Sequence, residues 1–394
     1  YNKEFSNWYG RSDLRAAYRC YSDDTQVLTD NGWKLIKDVD MEKDLVATLN
    51  SETGGLEYHK AINKFEYNYE GKLFHQKGRF IDLLVTPNHK MWVKGLDRKS
   101  DFKFVDAQDL PRYVRYKRDV KWDGEEIEFF ELPGIEFKQK VCNQFGEYGE
   151  RGTVLPKRNI PMDKWLRFFG IWLAEGSVYH YDGESCKCSK GYAIDISQKV
   201  GKKANIIEQW IKDCNFNFCK KYDKHGDRII FEIVSKQLYS YLVQFGGSHK
   251  KFIPKEIKQL SARQLEILYG AMALGDGKHD GRQYCTVSEK LADDVQEILF
   301  KIGYGTIKTF EFCKSSFKSG GIWIIGVSKV NVDSTLVNEH IDNREYINYN
   351  GKVHCLEVPN HILYVRRDGK ACWCGNSFWS KEILIRFMNI YMER

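Results

Sequence analysis

The chain has 394 residues, 42% hydrophobic and 14% aromatic, with a formal net charge of +7 at pH 7. Such a length exceeds what one hydrophobic core serves and the composition excludes global disorder, so two or three folded domains are expected. No apolar run is long enough for a membrane helix and no charged-then-apolar leader opens the chain; the charge permits a nucleic-acid partner without demanding one.

Residues 1–19 are polar, mixed and too short to fold alone. Cys20 opens a different texture. Thr25 to Ile36 reads as strand, Asn-Gly turn, strand, a strong hairpin signal. Short alternating runs follow at Asp44–Leu49, Gly71–His75, Ile81–Val85 and Lys90–Val93, so an all-β module is expected. Within it, Val85-Thr86-Pro87-Asn88-His89 is a strand end entering a turn. Thr86 and His89 place a hydroxyl and an imidazole at one bend, where they could polarise a carbonyl and protonate an amine.

From about residue 161 to 345 helical patterns take over, for an α/β domain with an internal repeat. Asp163–Gly176 has Asp163 placed as N-cap, an apolar body, and Gly176 as terminator. Ser261-Ala-Arg-Gln264 is a capping box opening a second such helix, Leu265–Gly277. Gly170 and Ala174 in the first, and Ala271 and Gly275 in the second, line one face with small residues and let two backbones approach. An acid follows each stripe, Glu175 and Asp276. Both acids sit at helix C-termini, where the macrodipole disfavours negative charge, and pairing the helices would bring the carboxylates together. A divalent cation between them would offset that repulsion. Further on, Tyr192–Gln198 and Ile230–Val234 alternate as sheet strands should.

After about residue 346 the β texture returns through Val353–Val365 and ends at Gly375-Asn376-Ser377. An Asn before a small polar residue is chemically soft, because its side-chain amide can attack its own backbone carbonyl, close a succinimide and cut the chain. Residues 377–394 form a short amphipathic tail. The eleven cysteines are odd in number and irregular in spacing; Cys186-Lys-Cys188 and Cys214…Cys219 have no second pair at zinc spacing. Free thiols in a reducing, intracellular setting are expected.

Cys20 with its following Tyr-Ser-Asp-Asp-Thr-Gln-Val-Leu-Thr, Thr86…His89, and the terminal Val353–Val365…Asn376-Ser377 together resemble the splicing blocks of inteins. The doubled helix ending in Glu175 and Asp276 resembles the LAGLIDADG homing endonucleases, with Leu274 where that motif often has an acid. The resemblance implies a discontinuous all-β Hint-type splicing domain (20–160 and 346–376), interrupted by an endonuclease domain (161–345) and flanked by extein stretches (1–19 and 377–394). It implies that Cys20, partly ionised near neutral pH, attacks the Arg19 carbonyl. The acyl group then passes to Ser377, Asn376 cyclises, and the flanks are joined without a cofactor. It also implies cleavage of double-stranded DNA with Mg²⁺ held by Glu175 and Asp276, with Lys250 and Lys251 at the DNA, in a monomer. Two positions depart from the splicing pattern. Gly375 stands where a His usually precedes the last Asn, which leaves His361 as first choice of proton donor, and Cys355 stands where Asp is frequent. Two alternatives remain open: an endonuclease whose β-domain no longer splices, and a Hedgehog-like autoprocessing module, against which Asn376-Ser377 speaks.

Overall fold

The computed structural model describes residues 19–97, 99–142, 148–181, 191–278, 281–312, 320–328, 335–338 and 343–376. Ser377, both flanks beyond Arg19, and the Cys186/Cys188 pair lie outside the described residues. The chain divides into two compact units: one runs up to Asp123, takes in Leu299–Thr309, and resumes at Val327; the other is Gly124–Ile298 with Phe310–Gly326.

The first unit is built of strands. Tyr21–Ser22, Asn343–Glu357, Asn63–Lys77 and Asp82–Val85 close a small barrel. Its backbone is one long antiparallel ribbon, Asn63–Lys77 against Asn343–Glu357, in unbroken register from Asn63↔Glu357 to Lys77↔Asn343. A second sheet orders Lys370–Gly375, Ile362–Arg367, Gln26–Thr29, Val46–Leu49 and Leu56–His59, with Gly32–Leu35 folded back on Gln26–Thr29. The expected hairpin is present, its turn at Asp30-Asn31; Gly32 supplies the left-handed φ of +93° that the bend needs. A third sheet orders Thr335–Asn338, Tyr113–Tyr116, Lys90–Lys94 and Lys103–Asp106. Between the sheets lie apolar side chains such as Tyr21, Val85, Met91, Leu363 and Cys374, all buried. Phe300, from Leu299–Thr309, belongs to this unit's core and stacks on Tyr364 at 3.8 Å.

The second unit carries helices α1 (Met162–Glu175), α2 (Lys202–Asp213), α3 (Lys236–Leu242), α4 (Lys255–Lys258), α5 (Ala262–Asp276) and α6 (Glu289–Lys301, whose last residues pass into the first unit). Against them lies a four-stranded sheet ordered Gly176–Tyr181, Gly191–Lys199, Arg228–Val234, Cys219–Tyr222. Helix α1 is apolar around most of its circumference, with Trp165, Phe168, Phe169 and Trp172 all buried, so it forms the centre of the unit.

Two expectations change here. Asp163 is not the N-cap of α1: Pro161 holds that place, and Asp163 in the first turn pairs with Arg263 at 2.7 Å. Pro has no N–H to satisfy and a carboxylate in the first turn suits the positive end of the helix, so both residues fit where they are. The capping box of α5 does form, Ser261 Oγ accepting from the Gln264 N–H at 3.2 Å. The Gln264 side chain bonds Ile127 in place of completing the box. The boundary between the units also falls earlier than residue 160. Phe129–Leu132 pairs with Arg158–Pro161, and Phe130 stacks on Trp165 at 3.9 Å, which fastens residues 124–160 to the helical unit.

Candidate functional sites

The first constellation lies where the two ends of the β-unit meet. Tyr21 and Ser22 pair with His354 and Val353 on one side, and Tyr21 pairs with Val85 on the other. This threads the start of the unit between the strand that ends just before Thr86 and the strand that carries Cys355. The Cys20 N–H donates to Thr86 Oγ1 at 3.0 Å, and the Thr86 N–H donates to the Cys20 carbonyl at 3.0 Å. The His89 N–H donates to the Thr86 carbonyl at 2.9 Å, which closes the turn and sets the imidazole. His89 is fully buried, packs edge-on against Tyr21 with centroids 4.3 Å apart, and has Nε2 3.5 Å from Cys374 Sγ.

Burial holds the His89 imidazole down at about 3, outweighing the pull of the Arg19 and Gly375 backbone in the other direction. The ring is therefore neutral at pH 7. Burial likewise pushes the Cys20 thiol well above its ordinary value, with the nearby Cys355 adding to it. This corrects the expectation of a partly ionised thiol: at rest Cys20 is protonated, and a base must take its proton as it reacts.

At the other end, Gly375 sits on a strand so close to the backbone of Lys90 that an added Cβ would overlap the Lys90 carbonyl oxygen. That close approach accounts for the missing His, since no side chain fits there. The Tyr21 hydroxyl donates to the Gly375 carbonyl. The Asn376 N–H donates to the His361 carbonyl at 3.1 Å. Asn376 is fully buried, and neither atom of its side-chain amide has a hydrogen bond among the described residues. His361 thus meets Asn376 through its backbone, at a turn position with φ of +56°. Tyr21 and Cys374 were not singled out in the sequence. Their only signal is adjacency to Cys20 and Gly375.

The second constellation is at the C-terminal ends of α1 and α5. A Cβ on Gly170 would lie 2.7 Å from the Leu268 carbonyl oxygen and 2.8 Å from Ala271 Cβ. One on Gly275 would lie 2.6 Å from Ala174 Cβ and 3.0 Å from Glu175 Cγ. The small-residue stripes therefore let the helices touch. Gly176 and Gly277 follow with extended, negative φ; they are required because a Cβ would overlap Trp172 and the Ala273 carbonyl oxygen, not because the chain turns left-handed. Asp276 is raised to about 7, by burial first and by the Glu175 charge second, with Lys251 and Lys278 opposing. Gln198 Nε2 donates to Glu175 Oε1 at 3.3 Å.

Lys251 departs from its expected place at a DNA surface. It is buried, and its Nζ donates to the carbonyls of Trp172 at 2.7 Å, Leu173 at 2.9 Å and Gly176 at 2.7 Å. A cation on the last carbonyls of α1 offsets the negative helix end next to Glu175. Burial lowers this ammonium to about 8, against the pull of Asp276 and Glu175. Lys250 is exposed. Among the described residues no group of three or more His, Cys, Asp or Glu could hold a metal ion. Two crowded carboxylates remain, and they are hard oxygen donors of the kind a Mg²⁺-sized ion takes in ones and twos.

No protein-family description matches the chain. The ATP-dependent Clp protease proteolytic subunit of Chlamydomonas moewusii is 29% identical over 355 residues, covering 87% of this chain and 33% of that protein. The DNA-directed RNA polymerase subunit beta C-terminal section of Stigeoclonium helveticum is 29% identical over 419 residues, covering 91% and 36%. The ribonucleoside-diphosphate reductase subunit beta of Aquifex aeolicus is 22% identical over 382 residues, covering 91% and 50%. The chain thus spans a third to a half of the length of these relatives. Solved structures similar to parts of the chain include homing endonucleases and an intein. I-DmoI in complex with DNA and Mn is 16% identical with a TM-score of 0.32, covering 42% of this chain and 90% of that one. The AceL NrdHF class 3 split intein is 14% identical with a TM-score of 0.22, covering 55% and 99%.

Proposed function

We propose that the chain is a self-splicing element, an intein, carrying an inserted homing endonuclease. The observation that carries the splicing half is the convergence of both chain junctions on His89. The amide between Arg19 and Cys20 is bonded to Thr86, and the Gly375 carbonyl just before Asn376 is held by Tyr21, whose ring packs on His89. The relatives support the same reading, because one stretch recurs inside a protease subunit, a polymerase subunit and a reductase subunit. That is the distribution of an inserted element, not of a shared enzymatic domain.

In this reading Cys20 Sγ attacks the Arg19 carbonyl carbon. The thiol proton passes to the neutral His89, which returns it to the departing Cys20 nitrogen; Thr86, already bonded to that N–H, fixes its direction. The C–N bond breaks as the C–S bond forms, so the first step yields a thioester and an amine. The Ser377 hydroxyl oxygen then attacks the thioester carbon: the C–O bond forms, the C–S bond breaks, and the hydroxyl proton leaves with the Cys20 sulfur. Asn376 follows: its amide nitrogen, with no competing hydrogen bond among the described residues, attacks its own carbonyl, closes a succinimide and passes its proton to the released Ser377 nitrogen. That nitrogen then attacks the neighbouring ester carbon and takes the acyl group from the Ser377 oxygen as an amide. Tyr21 pins the peptide plane before Asn376.

In the second unit, Glu175 and Asp276 would hold a divalent cation such as Mg²⁺, which supplies Lewis-acid chemistry at phosphodiesters when bound. Lys251 fixes the end of α1 and hence the placement of Glu175. The partner is double-stranded DNA, reached by exposed cations such as Lys250. Expression of the whole chain in a host lacking any target DNA tests the splicing half. The expected products are a fragment running from Cys20 to Asn376 and a peptide joining Arg19 to Ser377, identified by mass. An intact chain that persists under reducing conditions would reject it.

A further inference from the structure

The ladder that joins the start of the β-unit to its end reads Ser22↔Val353 and Tyr21↔His354. One step further it sets Cys20 opposite Cys355. Both backbone bonds of Cys20 go to Thr86, its N–H to the hydroxyl and its carbonyl to the N–H. Neither therefore points at the strand of Cys355. In an antiparallel pair that makes Cys20 and Cys355 a non-hydrogen-bonded couple, the kind whose side chains approach most closely, with Cα atoms about 4.5 Å apart. A disulfide spans Cα separations of about 4.4–6.8 Å. Both residues are fully buried in one small apolar cluster with Tyr69, Leu73 and Val353, and neither is in a disulfide.

We propose that Cys20 and Cys355 form a cross-strand disulfide under oxidising conditions, a reversible lock on the nucleophile of the first splicing step. The proposal rests on the splicing reading only for what the lock controls; the bond itself rests on the ladder. A low-molecular-weight disulfide such as oxidised glutathione serves as oxidant. One protein thiolate attacks it, forms a mixed disulfide and releases one glutathione thiol. The second protein thiolate then displaces the other, so two protein thiols are oxidised and one glutathione disulfide is reduced to two thiols. Both sulfurs are buried, so the oxidant reaches them only when the strand Tyr21–Ser22 opens locally from its ladder partners His354, Val353 and Val85. While the bond is closed the sulfur has no proton to lose and no lone nucleophile to present, so the acyl shift from nitrogen to sulfur stops.

The test uses the whole chain, refolded and held in glutathione buffers of graded oxidised-to-reduced ratio, then quenched with acid, alkylated and digested. The expected result is a peptide linking Cys20 to Cys355, a fall in spliced product of at least about tenfold, and recovery of both on reduction with a phosphine. In Cys355→Ser and Cys355→Ala the ratio of oxidised to reduced splicing rates should rise to near one, whatever their reduced rate. Absence of the linked peptide at the most oxidising ratio would overturn the proposal. So would equal inhibition of the Cys355 variants, which would place the oxidation on Cys20 alone. If the linked peptide forms in a chain that never splices, the bond stands and the splicing reading falls.

Discussion

Around His89 the first unit has removed water and charge together, whereas at Glu175 and Asp276 the second has gathered charge at two helix ends. In the first site the imidazole is driven down to about 3 and kept neutral, the thiol is kept protonated, and the Asn376 amide has no hydrogen bond among the described residues. In the second, a carboxyl is driven up to about 7 by burial and a like-charged neighbour, and a buried ammonium donates to the carbonyls of Trp172 and Leu173 in the helix and of Gly176 just after it. Acyl transfer within a chain needs reacting groups already in contact and protected from hydrolysis, so a dry pocket of neutral groups suits it. Phosphodiester cleavage needs charge stabilised where it develops, so crowded oxygen donors suit it.

The comparison breaks most sharply if either set of groups proves to serve both activities. Asn376→Ala should block release of the C-terminal side by on the order of 10³-fold or more, while added thiol still cleaves at Cys20; gel and mass analysis after expression reads both. Glu175→Gln or Asp276→Asn should abolish DNA cutting to a similar extent and leave the splicing rate unchanged, measured on the same preparations. Joint loss of the two activities in any of these variants would end the separation.

Smaller effects sharpen it. Gly375→Ala would push into the Lys90 carbonyl and should destabilise the first unit by about 1–3 kcal/mol, with slowed splicing, while Gly170→Ala should cost the second unit a comparable amount. Denaturant titrations followed by a probe in each unit would assign each loss, and a shared transition would refute the assignment. Acid should act on the first unit through His89. Its folded value of about 3 lies below the ordinary 6.5, so the unfolded chain binds the extra proton. The stability tied to this ring is present above pH 6.5 and is lost as pH falls toward 3, by about 1.4 kcal/mol per pH unit. His89→Gln should flatten that part of the pH–stability curve.

Much of this was legible where local chemistry is self-sufficient. The hairpin at Gln26–Leu35 follows from Asn31-Gly32, the strands at Asp82–Val85 and Lys90–Lys94 from alternation, and the α1–α5 contact from Gly170, Ala174, Ala271 and Gly275. The long ribbon was not. Only Gly71–His75 alternates; the rest of Asn63–Lys77 is largely exposed and polar, and its partner lies nearly three hundred residues away, so no local period marks its full length. Lys251 reads, with Lys250, as a DNA contact, because a sequence does not show that the end of α1 lies against one of the two ammonium groups. His361 drew attention by its ring, yet it meets Asn376 through a carbonyl oxygen that every residue possesses. Cys355 opposite Cys20 depends on a register that only the folded ladder fixes.

Phe300 sets a limit on attempts to whittle the molecule down. The stretch Leu299–Thr309 follows α5 and most of α6 in the chain, yet it fills the interior of the other unit: Phe300 lies on Tyr364, and the Thr306 carbonyl accepts from the Arg118 guanidinium at 2.8 Å. A shortened version made by deleting everything between Asp123 and Val327 would lose that plug and leave a hole beneath Trp373. A working miniature has to carry these eleven or so residues along, grafted as a bridge between the two stumps.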